Sequence, residues 1–185
     1  MKYIYTIDNL CYEVDDIAKK LTDHKKAKNV YNVSPTISPD GSKIAFLTNN
    51  LSYFDIDLID AVTGKKIKKL IKGSRSLDFE ELKFLQPGIS WSSDSKKIVF
   101  AAKSGSGDAL YIVDIDSEQK EKIPFDLDGV FSAAWSPQGD KLAFVGYEKG
   151  ASDIYIYDIN EKTHFNLTKD VYSDSEPSWS PDGSS

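Results

Sequence analysis

Short apolar runs recur along the chain, and turn residues close off each one: Lys43-Ile44-Ala45-Phe46-Leu47, Lys97-Ile98-Val99-Phe100-Ala101 and Lys141-Leu142-Ala143-Phe144-Val145. Runs this short, bounded by Ser, Pro, Asp and Gly, predict strands buried on both faces. A loop rich in Ser, Gly and Asn follows each run. It leads to a further β-rich stretch, at 55–60, 110–114 and 153–158. After a second turn (Thr63-Gly64, Ser117-Glu118, Asn160-Glu161) comes a polar strand, such as 65–72 or 163–168. Nothing long carries a helical period.

The runs belong to a repeat. Four segments line up ahead of them: Thr36-Ile37-Ser38-Pro39-Asp40-Gly41, Ser90-Trp91-Ser92-Ser93-Asp94-Ser95, Ala134-Trp135-Ser136-Pro137-Gln138-Gly139 and Ser178-Trp179-Ser180-Pro181-Asp182-Gly183. The anchors Ile37, Trp91, Trp135 and Trp179 stand 54, 44 and 44 residues apart. The register holds further on, at Asp55, Ala109 and Asp153 and again at Asp60, Asp114 and Asp158. Each segment ends in a tight turn, and in three of the four Pro sets φ and Gly takes a positive φ. Each unit is therefore expected to hold four strands, the first ending at its anchor.

Four-strand units recurring every ~40–45 residues mark the blades of an all-β propeller, in which neighbouring sheets bury one another's faces. The expected organisation is 1–29 as outer strands of a preceding partial blade and 30–73 as a blade. An inter-blade insertion follows at 74–84, then blades at 85–129 and 130–170, and the first hairpin of a further truncated blade at 171–185. Within the first part, 2–8 resembles 153–159 and 17–22 resembles 163–168. Six such blades would need about 260 residues. The expectation is thus an open arc of about three full blades plus two partial ones from a six-bladed ring, in a fragment of a larger protein. Open blade edges would make self-association possible.

Composition narrows the function. The net charge of −6 argues against a nucleic-acid partner, which needs a concentrated basic face. No apolar run is long enough to span a bilayer, so this segment is not expected to insert into a membrane. Met1-Lys2-Tyr3-Ile4-Tyr5-Thr6-Ile7-Asp8 does not read as a signal peptide, and one cysteine leaves the compartment open.

The turn Ser-Pro-Asp-Gly after a Trp, the Lys-Ile-Ala-Phe strand and the strand Asp153-Ile154-Tyr155-Ile156-Tyr157-Asp158 together resemble the TolB-type propeller repeat, one of the WD-like propeller repeats. True WD repeats differ, since no Gly-His…Trp-Asp pairs occur here. The sequence departs from the TolB pattern at Ser93, Ser95, Gln138 and Ile37. The resemblance implies a six-bladed, protein-binding platform in the bacterial cell envelope, in the periplasm. Relatives also serve as modules of larger proteins, including serine peptidases.

Candidate chemistry is sparse. Asp40, Asp94 and Asp182 sit in turns, where a carboxylate accepts local N–H bonds. Asp174 and Glu176 precede a first strand and are expected to line a channel or meet a partner, as paired carboxylates able to hold a cation or a basic group; a solvated acidic loop is the plainer alternative. Lys65, Lys66, Lys68, Lys69 and Lys72, with Arg75, form a basic cluster that guards an outer strand against edge pairing or attracts an acidic partner. His24 and His164 lack zinc-ligand spacing. Cys11 has no motif around it, and Lys103-Ser104-Gly105-Ser106-Gly107 lacks the first Gly of a nucleophile elbow. The expectation is no catalytic residue, no cofactor and no metal. The function expected is a non-catalytic propeller that binds another protein; the alternative is the substrate-gating propeller of a serine peptidase.

Overall fold

Turn chemistry repeated at fixed intervals sets where the chain reverses, and the apolar runs between reversals become ladders. The computed structural model describes residues 2–6, 9–14, 17–22, 31–50, 53–73, 81–82, 88–105 and 107–185. Among the described residues there are sixteen strands and no helix, hence none long and apolar enough to cross a membrane. The chain divides into two units, Met1–Ser76 and Leu77–Ser185.

In the first unit β1 (Lys2–Thr6), β2 (Asn9–Val14) and β3 (Ile17–Lys20) form a three-stranded antiparallel sheet. Beside it β4 (Asn32–Ile37), β5 (Lys43–Asn50), β6 (Tyr53–Asp60) and β7 (Lys66–Ile71) pair in chain order. Leu21 closes the space between these sheets against Ile44, Phe46, Ile59 and Ala61. Here the structure differs from the sequence reading of the N-terminus. β2 lies between β1 and β3, so β2, and not the 2–8 stretch, adjoins the last strand as β15 adjoins β16 elsewhere. The alternating pattern of 2–6 fits a second or a third strand equally well, and only the pairing decides between them.

In the second unit β8 (Glu81–Leu82) and β9 (Ser90–Trp91) both pair with the same edge of β10 (Lys97–Ser104), as two pieces of one first strand. β11 (Gly107–Asp114) and β12 (Lys120–Pro124) complete that sheet. The next sheet is β13 (Gly129–Trp135), β14 (Lys141–Glu148), β15 (Ala151–Asp158) and β16 (Thr163–Asn166). Of the insertion expected at 74–84, all but Glu81–Leu82 lies outside the described residues, as do His24, Arg75 and Ser106.

The anchors hold matching places in successive sheets: Ile37 opposite Ile44, Trp91 opposite Ile98, and Trp135 opposite Leu142. This equivalence makes the three sheets that carry an anchor propeller blades of four antiparallel strands, with β8 and β9 counted as one. The core of the second unit lies between its two sheets. Val99, Ala101, Leu110 and Ile112 of one pack against Leu142, Phe144, Tyr155 and Tyr157 of the other. Each such large side chain contributes about 1.5–3 kcal/mol on burial. Phe144 is sealed between Phe125 (ring centroids 4.4 Å apart) and Tyr155 (5.5 Å).

Candidate functional site

Three local devices recur from blade to blade, though not all in every one. The first is the turn after the anchor. Ser38 N–H donates to Lys43 O at 2.9 Å, and Ser92 and Ser136 do the same to Lys97 and Lys141. Inside the turn the Ser38 hydroxyl donates to Asp40 Oδ1 (2.6 Å), and Ser92 likewise donates to Asp94 (2.6 Å). That hydroxyl bond, with the Ser42 N–H, holds the Asp40 carboxyl down at about 2. Asp94 and Asp182 are lowered for the same first reason, the hydroxyls of Ser92 and Ser180. These carboxylates are therefore spent on turn geometry. Gly41 and Gly139 take the left-handed conformation (φ 72° and 81°), and Ser95 takes it in place of Gly (φ 60°).

The second device is the turn between the third and fourth strands. Asp60 Oδ1 accepts from the N–H groups of Val62 (3.1 Å) and Thr63 (2.7 Å). Asp114 and Asp158 accept in the same way at the same position. This explains the second recurring Asp of the repeat.

The third is a bulge three residues before the anchor, where Ser34 (φ 55°), Ser132 (φ 48°) and Glu176 (φ 55°) are all left-handed. The ladder breaks there in both complete first strands, between Val33 and Thr36 and between Phe131 and Ala134. Two residues then face one, as in a β-bulge. Sequence reasoning missed this bulge, because none of the three residues is Gly.

Of the two site residues expected from sequence, Glu176 is this exposed bulge residue, while Asp174 is half-buried. Asp174 N–H donates to Ser152 O (2.7 Å), and the Ser152 hydroxyl donates to Asp174 O (2.9 Å). Its carboxylate is brought to Asp153 and Asp170, not to Glu176: one ligand oxygen from each of the three lies within 4.8 Å of the others. Asp174 Oδ2 is buried without a hydrogen bond, while Asp153 already accepts from Asn166 Nδ2 at 2.7 Å. Three carboxylates supply hard oxygen ligands of the kind a divalent cation or a basic side chain takes, though fewer than the six to eight that calcium fills. Asp153 was legible as a repeat position and Asp170 was not, since three different segments converge there.

Two lysines of the basic cluster are committed to their own sheet. Lys66 Nζ lies 2.5 Å from Asp57, and Lys69 pairs with the buried Asp55, so the edge strand β7 neutralises carboxylates of β6. His164 packs edge-on against Phe125 at 5.2 Å. Cys11 lies in β2.

The far face of the β13–β16 sheet is buried at Ala143 and Ile156 and uncovered towards its β16 edge. Phe165 and Leu167 are each 56% exposed, and a cavity of about 440 Å³ separates this face from Trp179 and the 183–185 tail. At one end of the same sheet Tyr147, Val171 and Tyr172 are exposed, the last two at 87% and 72%.

Blades of this construction define a β-propeller repeat protein. The chain belongs to the TolB beta propeller domain family, whose model matches residues 74–185, more than half of the sequence. Among solved structures it is similar to TolB from Acinetobacter baumannii (TM-score 0.70, 23% identity, 91% of this chain and 39% of that one). It is equally similar to a TolB-assigned protein from Agrobacterium tumefaciens (TM-score 0.70, 23% identity, 90% and 58%). Prolyl endopeptidases studied for inter-domain dynamics in catalysis and specificity share the fold more distantly (TM-score 0.62, 17% identity, 85% and 25%). The chain thus spans 39% and 58% of the two TolB chains. No curated protein matches it in sequence.

Proposed function

We propose that the chain is a non-catalytic propeller module that binds another protein, as part of a larger protein of the bacterial cell envelope. The observation that carries this reading is the loop end of the β13–β16 sheet. There Tyr147, Val171 and Tyr172 are exposed, and Asp170 and Asp174 join Asp153 in the acidic group. Exposed aromatics beside clustered carboxylates suit a partner with apolar and basic groups, and single-sign charge at such an edge guides encounter. Asp174 and Glu176 would be contact residues of this surface.

The test is capture of a partner from a solubilised envelope fraction on the immobilised chain. Wild type should retain a protein that Tyr147→Ser/Tyr172→Ser and Asp174→Ala/Glu176→Ala lose, each variant keeping its near-UV circular dichroism. Retention undiminished by both variants would remove the site.

A second reading, the substrate-gating propeller of a serine peptidase, draws on the shared fold with prolyl endopeptidases. It requires Gly-x-Ser-x-Gly and a later Asp and His in the downstream coding sequence, and it is abandoned if they are missing there.

A further inference from the structure

We infer that the outer edge of β16 is a pairing surface for a second copy of this chain. The copies join antiparallel across a two-fold axis at Phe165, and two four-stranded blades become one continuous sheet. This edge is separate from the loop-end surface proposed above and does not rest on it.

The fourth strand of a blade is its outer edge, and the chain treats its fourth strands unequally. β7 carries Lys66, Lys68 and Lys69, and β12 carries Lys120, Glu121, Lys122 and Pro124. Charges and proline of this kind keep an edge from pairing. β16 reads Thr-His-Phe-Asn and holds neither acidic residue, lysine nor proline. Its inner side is paired with β15, and Leu167 N–H donates to Ile154 O at 2.8 Å, so the ladder holds 163–167 straight. Strand alternation then turns the backbone N–H and C=O groups of His164 and Asn166 outward. Among the described residues no strand meets them. The exposure of Phe165, 56%, belongs to its place in a blade and not to this blade alone. In the preceding blade the same ladder place, opposite Ile112, is held by Glu121. Glu121 is exposed although the next sheet packs against its own.

The edge is complementary to itself. Its outward groups sit on even-numbered residues, so a second copy pairs only in registers that match even with even. Of these, the register that overlaps all of 163–167 sets His164 opposite Asn166 of the second copy. It also sets Phe165 opposite Phe165. That pair falls at a position without hydrogen bonds, where facing Cα atoms approach to about 4.5 Å and two aromatic rings meet. The same register brings Glu161 of each copy to Lys169 of the other, and both residues are exposed. Opposite charges therefore meet at both ends of the strand. A two-fold contact closes on itself and gives a dimer, not a growing chain. Main-chain bonds give the affinity, as in other strand additions, while Phe165 and the charged ends choose the register. The contact is small, so the dimer forms at high protein concentration.

The test is sedimentation equilibrium of the full 185-residue chain at concentrations up to about 1 mM. A monomer–dimer equilibrium without larger species is expected. Glu161→Lys and Lys169→Glu each set like charges across the axis and should weaken the dimer at least about threefold. The double swap Glu161→Lys/Lys169→Glu should restore it. Phe165→Lys gives β16 the guard that β7 and β12 carry, and should weaken the dimer about tenfold or more. All three positions are exposed, and equal melting temperatures check that the variants keep their fold. A cysteine trap tests the register, in a Cys11→Ser background that removes the one native thiol. There Phe165→Cys should oxidise to a covalent dimer and Thr163→Cys should not, because only the first places two Cα atoms within disulfide reach. Tyr147→Ser/Tyr172→Ser should dimerise as wild type does, which separates this edge from the loop-end surface. A chain monomeric up to about 1 mM, association that ignores the charge swap, or equal cross-linking at 163 and 165 would each overturn the inference.

Discussion

The backbone N–H of Trp135 donates to the Ser90 hydroxyl at 2.9 Å, and this single bond joins the first strands of two successive blades. Trp135 is buried, so the N–H has no water to fall back on. Removing the acceptor strands a buried donor, a change that costs about 1–3 kcal/mol. Ser90→Ala should therefore lower unfolding stability by roughly that amount in a urea titration. Ser93→Ala, in the exposed turn beside it, should stay within about 0.5 kcal/mol of wild type.

The same joint depends on a missing side chain. A Cβ at Gly88 would lie 2.5 Å from Ala133 N and 2.6 Å from the Ser132 backbone, where the left-handed bulge presses on the preceding blade. Backbone cannot swing aside as a side-chain end can, so the sheets must part. Gly88→Ala is expected to cost about 1–3 kcal/mol or more, with a broadened thermal transition. Gly107→Ala meets nothing within 4 Å and serves as the comparison; its melting temperature should hold or rise slightly.

Acid should act through the turns. Asp40 is held near 2 against an ordinary 3.8, and Asp94, Asp140 and Asp182 are lowered as well, each by hydrogen bonds made only in the folded turn. A carboxyl depressed on folding stabilises fully above its unfolded value. That contribution fades as pH falls through the folded value. Stability should thus decline between pH 4 and pH 2, where protons reach the turns. Asp40→Asn should be less stable at pH 7 and show a shallower acid slope in chemical denaturation followed from pH 6 downward. An unchanged slope would mean that other groups carry the acid response.

What could be read in the sequence was what local chemistry dictates. The Ser-Pro-Asp-Gly turns, the runs after Lys43, Lys97 and Lys141, and the matching places of Ile37, Trp91 and Trp135 follow from residue type and spacing alone. What could not be read depends on pairing or convergence. β2 takes the place given to the 2–8 stretch because Tyr-Ile-Tyr alternation does not say which neighbour a strand will have. The bulge at Ser34, Ser132 and Glu176 is invisible because non-glycine residues hold a glycine-like backbone under tertiary pressure. Asp174 and Glu176 pair in the sequence reading because both precede a first strand. The partners of Asp174 in space are Asp153, near the start of β15, and Asp170, from the loop after β16.

The third turn offers a sharper test of how the repeat tolerates drift. Gln138 occupies the place of the turn Asp, and the motif survives because Asp140, two residues on, accepts the Ser136 hydroxyl at 2.9 Å. The carboxylate has moved along the turn while its partner stayed. Gln138 has meanwhile gained a use of its own, since its amide nitrogen donates to Asp182 O in the next turn, and the turns of successive repeats are thereby joined. Asp140→Ser should strip the turn of its acceptor and cost about 1 kcal/mol. Adding Gln138→Asp rebuilds the arrangement of the first turn and should restore most of that loss. Restoration should stop short of wild type, because the bond to Asp182 goes with the glutamine. A double variant no more stable than Asp140→Ser alone would show that the turn carboxylate cannot be exchanged between the two positions.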